Sequence, residues 1–267
     1  MAKYERNDIM DYLFSYCTDK GPCRDVNQDS LCFKAAEYKG NTFLLAAVCD
    51  GMGGLSDGEN ASAYVIKKLS QWFENDLASL LHRKKGILDI RKNLDEYIHM
   101  INDKINRYSA LNNKTLGTTM TAIILFSDIN KILTAHVGDS RAYKISDSEI
   151  KLLTNDHSVV GEEVRDGFLT EELANSDERQ NQLTKCIGAD FDDISYDYTI
   201  NDLESCVYML CSDGFRKKIS SSEFLQSLKP SEITDKNKAE NILRELTELN
   251  IQRDETDNIT SLLLRII

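Results

Sequence analysis

Residues 119–145 read TMTAIILFSDINKILTAHVGDSRAYKI, and this segment constrains the fold more strongly than any other part of the chain. It contains three short runs rich in β-branched and apolar residues, at positions 119–126, 131–137 and 141–145. Turn-forming residues, Ser-Asp-Ile-Asn and Gly-Asp-Ser, separate the runs. Connections this short join neighbouring strands in antiparallel order, whereas parallel strands need a long crossover. The segment therefore predicts an antiparallel sheet.

Other regions add strands at both ends and helices between them. Apolar runs predict further buried strands at positions 43–49, 150–153, 206–211 and 259–267. One helix is predicted over residues 59–81, and a second carries an apolar stripe formed by Leu94, Ile98, Ile101, Ile105 and Tyr108. Apolar residues between Ala239 and Leu249 indicate a third helix. Consecutive helices beside hairpin-linked strands favour an α+β layered sandwich over a doubly wound fold.

Composition excludes several classes of protein. The 267 residues include 32 Lys and Arg against 44 Asp and Glu, a formal net charge of −12. This sign argues against a nucleic-acid partner, which attracts clustered basic residues. No apolar run is long enough to span a bilayer, and residues 1–6 lack the apolar stretch of a signal peptide. With only two prolines and no Gly/Ser-rich linker, we expect a single domain covering residues 1–267.

The cysteines indicate a reducing compartment. There are seven of them, an odd number, and none forms a Cys-x-x-Cys pair. A chain of this length builds a sufficient core without disulfide or metal staples. We therefore expect reduced thiols, a cytoplasmic protein and no membrane partner.

Aspartates recur where predicted strands end. They are Asp29, Asp50, Asp139, Asp213 and Asp257. Any one of them alone is better explained as a turn residue or a helix cap. Carboxylates gathered at one sheet edge, however, would repel each other and need a compensating cation. A set of oxygen ligands suits Mg²⁺ or Mn²⁺, whereas zinc would recruit His or Cys.

Nine short motifs in a fixed order resemble the type 2C family of metal-dependent protein serine/threonine phosphatases, in its small bacterial form. They are TDKGPCRDVNQD (18–29), VCDGMGG (48–54), GENAS (58–62), GTT (117–119), VGDSR (137–141), TNDHS (154–158), LTKCIG (183–188), CSDG (211–214) and DNIT (257–260). A single Asp-Gly pair means little, but nine motifs in family order are specific. The resemblance covers nearly the whole chain. It implies a four-layer αββα sandwich, two antiparallel sheets flanked by helices, with the metal site between the sheets at one edge.

The resemblance also implies roles for individual residues in a site for two Mn²⁺ or Mg²⁺ ions. Asp50 is similar to the carboxylate that bridges both ions, and the Gly51 carbonyl contacts one of them. Asp213 and Asp257 match the ligands of the other ion, and Asp29 matches a carboxylate that holds metal-bound water. The implied reaction is hydrolysis of phosphoserine or phosphothreonine by in-line attack of a metal-bridging hydroxide. The catalytic set is therefore Asp29, Asp50, Asp213 and Asp257.

Two further positions follow from the same resemblance. Asp139, together with Asp213, matches the pair that binds a third, weaker metal in bacterial relatives. Arg24 matches the cation that binds the substrate phosphate, and its planar guanidinium can engage two phosphate oxygens at once. The segment 160–182 resembles the flap beside the active site.

The sequence departs from the family pattern near the second motif. Many members carry a histidine at the position of Met52 or directly after the glycine pair, where this chain has Leu55. Such a histidine has been considered for protonating the leaving group, so its loss leaves the general acid unassigned. We expect an active but slower enzyme.

Two other functions stay open on the residues alone. One is a weakly catalytic or non-catalytic regulator of the same fold that binds phosphoproteins; retention of all five aspartates and of Arg24 argues against it. The other is a metal-dependent nuclease or small-molecule phosphatase, and the acidic charge disfavours the nuclease. Expected partners are phosphorylated proteins and a cognate serine/threonine kinase, and we expect a monomer.

Overall fold

The structure, a computed structural model, describes residues 10–53, 57–174, 176–188 and 195–267. Its strands pair only in antiparallel fashion among these residues. The strands are β1 (Tyr12–Asp19), β2 (Asp29–Tyr38), β3 (Asn41–Gly53), β4 (Leu116–Thr118), β5 (Met120–Phe126), β6 (Lys131–Val137), β7 (Arg141–Ile145), β8 (Ile150–Leu152), β9 (Asp197–Asp202), β10 (Val207–Cys211) and β11 (Ile259–Ile266).

These strands form two sheets. One has the order β1-β11-β10-β7-β8, and the other has the order β2-β3-β5-β6-β9, with β4 pairing the end of β3. The predicted hairpins of residues 119–145 are present, but the chain changes sheets at residues 138–140. As a result β5 and β6 lie in one sheet, and β7 begins the other.

Most of the helices pack on the outer faces of the two sheets, and two short ones lie in the segment 159–174. They are α1 (Gly58–Gln71), α2 (Ala78–His82), α3 (Ile87–Asn112), α4 (Val159–Arg165), α5 (Glu171–Ala174), α6 (Asp213–Arg216), α7 (Ser221–Leu228) and α8 (Lys236–Gln252). A π-helical segment, Trp72–Leu77, connects α1 to α2. None of the helices in the described ranges is both long and apolar enough to cross a membrane.

Alternation along β3 shows why the layers stack as they do. Phe43, Leu45 and Ala47 face the α1 and α3 side, where they join one apolar cluster. Leu44 and Val48 face the other sheet and pack in a second cluster with side chains of β10 and β11. Both faces of the strand are therefore buried, which explains its continuous apolar sequence. A third cluster lies between the second sheet and α6, α7 and α8.

The result is the predicted αββα sandwich. Most strands expected from apolar runs are present within one or two residues of their predicted ends. The predicted helix 59–81 is helical throughout the described residues but changes to π geometry in its middle. The strands β1, β2 and β9 were not predicted, because each mixes polar and apolar residues without a clean period.

Candidate active site

The aspartates singled out in the sequence converge at one edge of the sandwich. Asp50 lies near the end of β3, Asp139 lies between β6 and β7, Asp213 begins α6 after β10, and Asp257 precedes β11. All four line one pocket. Its lining residues are Arg24, Gln28, Asp50, Gly51, Met52, Thr119, Asp139, Asn181, Leu183, Asp213 and Asp257. Chain segments far apart in sequence thus contribute to one acidic cleft.

The Gly-Thr-Thr motif fixes the backbone of Asp50. The Asp50 carbonyl accepts hydrogen bonds from the Thr118 hydroxyl and the Thr119 amide, each at 2.9 Å. The Asp50 amide donates to Thr119 Oγ1 at 2.9 Å, and this hydroxyl also contacts Ser140 Oγ at 2.7 Å. Since both backbone groups are held, the carboxylate projects from a rigid strand, as a ligand position requires.

Position 51 requires glycine because the backbones of Gln28 and Gly58 approach it closely. A Cβ at this position would lie 2.2 Å from the Gly58 carbonyl oxygen and 2.5 Å from the Gln28 carbonyl oxygen. The Gly51 amide donates to that Gln28 oxygen at 3.1 Å. The glycine therefore lets three backbone segments meet beside the pocket.

Asp29 lies behind Asp50 rather than on the pocket wall. The two residues are register partners across β2 and β3. Asp29 Oδ2 accepts a hydrogen bond from Ser212 Oγ at 2.9 Å, while its Oδ1 is buried and has no hydrogen-bond partner in the ranges that the structure describes. Ser212 directly precedes Asp213, so one contact joins two of the aspartate motifs of this sequence.

Asp213 has two oxygens in different situations. Its Oδ2 accepts a short hydrogen bond from the ammonium of Lys217, one helical turn later. Its Oδ1 is buried and has no hydrogen-bond partner among the described residues. The following residue, Gly214, packs so closely that a Cβ would lie 2.2 Å from the Asn258 carbonyl oxygen.

Arg24 is bound to Asp257 at the pocket mouth. Its Nη2 donates to Asp257 Oδ2 at 2.8 Å, and the Arg24 side chain is 50% exposed. The loop that carries Arg24 is held by Asn258. That side chain accepts from the Gln28 amide at 2.8 Å and donates to the carbonyls of Lys20 and Val26 at 2.8 and 3.1 Å.

The electrostatics of the carboxylates show a shortage of positive charge. Burial raises the pKa of Asp50 well above its usual value, and the charges of Asp29 and Asp213 raise it further. Burial likewise raises the pKa of Asp29 to about 7, despite the Ser212 hydrogen bond. The pKa of Asp139 is also raised, to about 7, by burial and by the charge of the nearby Asp213 carboxylate. Like charges at this density need a cation.

Asp213 behaves differently because protein cations neutralise it. Burial alone would raise its pKa, but the charges of Lys217 and Arg216 bring the pKa below the usual value. Asp213 therefore differs from Asp29, Asp50 and Asp139, because side-chain cations of the chain hold its pKa below the usual value.

The donor set fits a hard divalent cation that keeps some water ligands. Asp50, Asp213 and Asp257 offer carboxylates, and Gly51 offers a backbone carbonyl at the same pocket. Two buried carboxylate oxygens, of Asp29 and Asp213, find no hydrogen-bond partner among the residues described. In the described ranges, no three His, Cys, Asp or Glu side chains enclose an ion by themselves. Mg²⁺ suits such an open set, since it retains several waters.

Sequence reasoning missed several pocket residues. Asn181, Leu183 and Thr119 line the pocket, and Lys217 contacts both Asp213 and Asn181. An acidic residue four positions before a lysine is a recognisable helix pair, so Lys217 could have been found. Asn181 carries no comparable signal. Leu55, the position of the missing histidine, lies outside the described residues.

The histidines in the described residues that pack near these motifs have structural contacts. His136 is buried, with Nε2 2.9 Å from the Asn155 carbonyl and Nδ1 2.9 Å from Thr121 Oγ1. His157 accepts a hydrogen bond from the Gly138 amide at 3.2 Å through Nδ1, and its Nε2 lies 3.3 Å from Asp197. Neither lines the pocket. Both rings are therefore held by contacts within the fold rather than presented to the cleft.

Comparison with known proteins identifies the family. The sequence model described as Protein phosphatase 2C matches residues 23–249. The serine/threonine phosphatase stp of Listeria monocytogenes serovar 1/2a is 32% identical over 249 residues, covering 92% of this chain and 93% of that protein. Protein phosphatase PhpP of Streptococcus pneumoniae is 32% identical over 233 residues, with coverages of 86% and 89%.

Solved structures agree. The serine/threonine phosphatase of S. agalactiae superposes with a TM-score of 0.80 at 31% identity, covering 96% of this chain and 100% of that one. The catalytic domain of the phosphatase PstP, crystallised in complex with two manganese ions, superposes with a TM-score of 0.76 at 26% identity, with coverages of 96% and 98%. Together with the motif order and the acidic cleft, these matches mean that the chain belongs to the protein phosphatase 2C family of metal-dependent protein serine/threonine phosphatases.

Proposed function

We propose that the acidic cleft is the catalytic centre and that its residues hold two Mn²⁺ or Mg²⁺ ions. Asp50 would bridge the two ions, with the Gly51 carbonyl on one and Asp213 and Asp257 on the other. When bound, such ions lower the pKa of a water nucleophile and neutralise charge on phosphoryl oxygens. The observation that carries this proposal is the convergence of carboxylates from four chain segments on one pocket beside the Arg24 guanidinium.

The chain's own groups then divide the remaining work. Arg24 binds the phosphate of the substrate, and its half-exposed position leaves the guanidinium accessible from solvent. Because Arg24 already contacts Asp257, phosphate binding and ion binding share one network. Asp29 holds and orients water from behind Asp50, through the Oδ1 atom, which accepts no hydrogen bond from the described residues.

The cleft supports direct displacement rather than a covalent phosphoenzyme. Among the described residues that line it, none is a cysteine or a histidine. Cys23, the nearest cysteine in sequence to Arg24, is exposed. Attack by water in line with the leaving serine or threonine oxygen is then the reaction that these residues favour.

Our proposal extends to the partner, the cellular location, the domain organisation and the oligomeric state. We propose that a serine/threonine kinase with the same target proteins supplies the substrates, because the reaction consumes what such a kinase makes. Seven free cysteines support a cytoplasmic location. We further propose that residues 1–267 form one catalytic domain, with residues 160–182 as its flap, and that the protein acts as a monomer.

The test is release of phosphate from a phosphothreonine peptide. We expect activity with added Mn²⁺, and none with EDTA or in the Asp213→Asn variant. Asp128→Asn, in the exposed turn at the opposite end of the β5–β6 hairpin, is the matched control and should retain activity. Absence of activity in folded protein that has bound Mn²⁺, across several phosphopeptides, would instead favour a non-catalytic phosphoprotein-binding regulator.

A further inference from the structure

Lys217 is an internal cation in contact with the active-site carboxylates. Its side chain is only 12% exposed, and that of its partner Asp213 is 8% exposed. The ammonium donates to Asp213 Oδ2 and, at 2.6 Å, to Asn181 Oδ1. Asn181 lies at the end of the segment 160–182, so one lysine joins α6 to that segment.

The two oxygens of Asp213 show where Lys217 acts. Oδ2 accepts the hydrogen bond from Lys217, whereas Oδ1 is buried and has no hydrogen-bond partner within the described part of the chain. Oδ1 is therefore the oxygen left for an ion of the central pair while Lys217 remains in place. Oδ2 is not free for an additional ion shared with Asp139, because the ammonium already occupies it.

Arg216 adds a second fixed positive charge at the same place. Its Nη2 donates to the backbone carbonyl of Asp139 at 3.2 Å and to Asp156 Oδ2 at 3.1 Å. Asp156 is also bound through both oxygens by Arg141, at 2.8 and 2.9 Å. Two guanidinium groups thus share the Asp156 carboxylate, and the Arg216 guanidinium also lies against the backbone of Asp139. A divalent cation between Asp139 and Asp213 would be repelled by both Arg216 and Lys217.

These contacts do not fit a third metal ion, although the family resemblance implies one at Asp139 and Asp213. We propose that the Lys217 ammonium takes the place of that ion, so that this chain binds two divalent cations and no third. Lys217 is then a positioning residue that links Asp213 to Asn181. The inference rests on the proposed two-ion centre.

Equilibrium dialysis against Mn²⁺, with bound metal measured by atomic emission, tests it directly. Wild-type protein should saturate at two Mn²⁺ per chain. Lys217→Met should bind a third Mn²⁺, because a fixed positive charge beside Asp139 and Asp213 is removed. The affinity for this third ion should be at least about tenfold higher than any residual third binding detected in the wild type. Adding Asp139→Asn to Lys217→Met should remove the gained site. Lys218→Met, at the exposed neighbouring position, should bind as wild type does.

Lys217→Gln provides a second variant if the methionine disturbs folding, since glutamine can still hydrogen-bond Asn181. Circular dichroism establishes folding of each protein before dialysis. Three Mn²⁺ ions on active wild-type protein, or no gain of a site in either folded Lys217 variant, would overturn the inference and leave the proposed function standing. No bound Mn²⁺ on an active wild-type protein would overturn the two-ion centre and the inference with it.

Discussion

Asp29 and Asp50 face each other directly across β2 and β3. Like charges at opposed positions of an antiparallel pair destabilise a sheet, and both of these residues are buried or nearly so. The Asp29–Asp50 pair therefore has no structural advantage in the folded chain alone. The cation proposed for the adjacent pocket would explain the pair, because its charge would offset both carboxylates.

Replacing Arg24 tests its role in substrate binding. We expect Arg24→Lys to raise KM for a phosphothreonine peptide about 10- to 100-fold, with a smaller effect on kcat, because one charged, two-pronged contact is lost. Steady-state kinetics over a range of peptide concentrations provides the measurement. Arg83→Lys, at an exposed position after α2, is the control. An unchanged KM in Arg24→Lys would remove Arg24 from the phosphate site.

Asn258 should stabilise the fold and support substrate binding, because it holds the loop of residues 20–28 that carries Arg24. Asn258→Ala removes three hydrogen bonds to the backbone of residues 20–28, and we expect the free energy of unfolding to fall by about 2–3 kcal/mol. KM should also rise, because Arg24 is carried by that loop. Urea denaturation measures the first effect. Asn201→Ala, at an exposed position in β9, should change neither quantity, and equal losses in both variants would contradict the assignment.

The buried Asp29 carboxyl predicts a pH-dependent cost of folding in metal-free protein. Burial raises its pKa from 3.8 to about 7, so the folded state binds more protons between these values. The cost is absent below pH 3.8, grows as the pH rises, and is complete above pH 7. In EDTA, Asp29→Asn should therefore gain stability relative to wild type between pH 5 and pH 8.

Denaturation of both Asp29 proteins at several pH values measures this difference. Comparison of the two proteins cancels the opposing contribution of His136, whose buried ring has its pKa lowered to about 4. A difference in unfolding free energy that stays constant with pH would show that Asp29 is not a buried titrating group.

Replacing Leu55 with histidine tests whether the absence of a histidine at this position limits turnover. Leu55→His should raise kcat, by up to about 100-fold, and add a limb near neutral pH to the rate profile, if protonation of the leaving oxygen limits turnover. Leu55→Gln, which is polar but does not titrate, is the matched control. An unchanged kcat and pH profile in Leu55→His would mean that position 55 does not limit the reaction.

Much of this arrangement could be predicted from the sequence. The apolar run in β3 predicted a strand buried on both faces, and the turn residues between β5 and β6 predicted their hairpin. Four of the aspartates were found because each follows or precedes a predicted buried strand, and Asp29 was found because it ends the first motif. What the sequence could not provide was the change of sheet at residues 138–140, which depends on packing between β7 and β10.

The contacts that join distant segments were also out of reach. Asn258 binds backbone carbonyls of a loop more than 230 residues earlier, and any asparagine before a strand would look the same in sequence. Lys217 and Asn181 meet only because the tertiary structure brings position 181 beside the end of α6. In each case a polar side chain acquires its role from tertiary structure rather than from its neighbours in the chain.

The central claim is that the Asp50 carboxylate binds the ions on which phosphatase activity depends. The most direct measurement is parallel titration of Mn²⁺ binding and of phosphate release from a phosphothreonine peptide, for wild type and Asp50→Asn. We predict that wild-type activity rises with the two bound ions, and that Asp50→Asn, although folded, loses ion binding and activity together. Full activity in Asp50→Asn, or wild-type activity that persists when no metal is bound, would contradict the account.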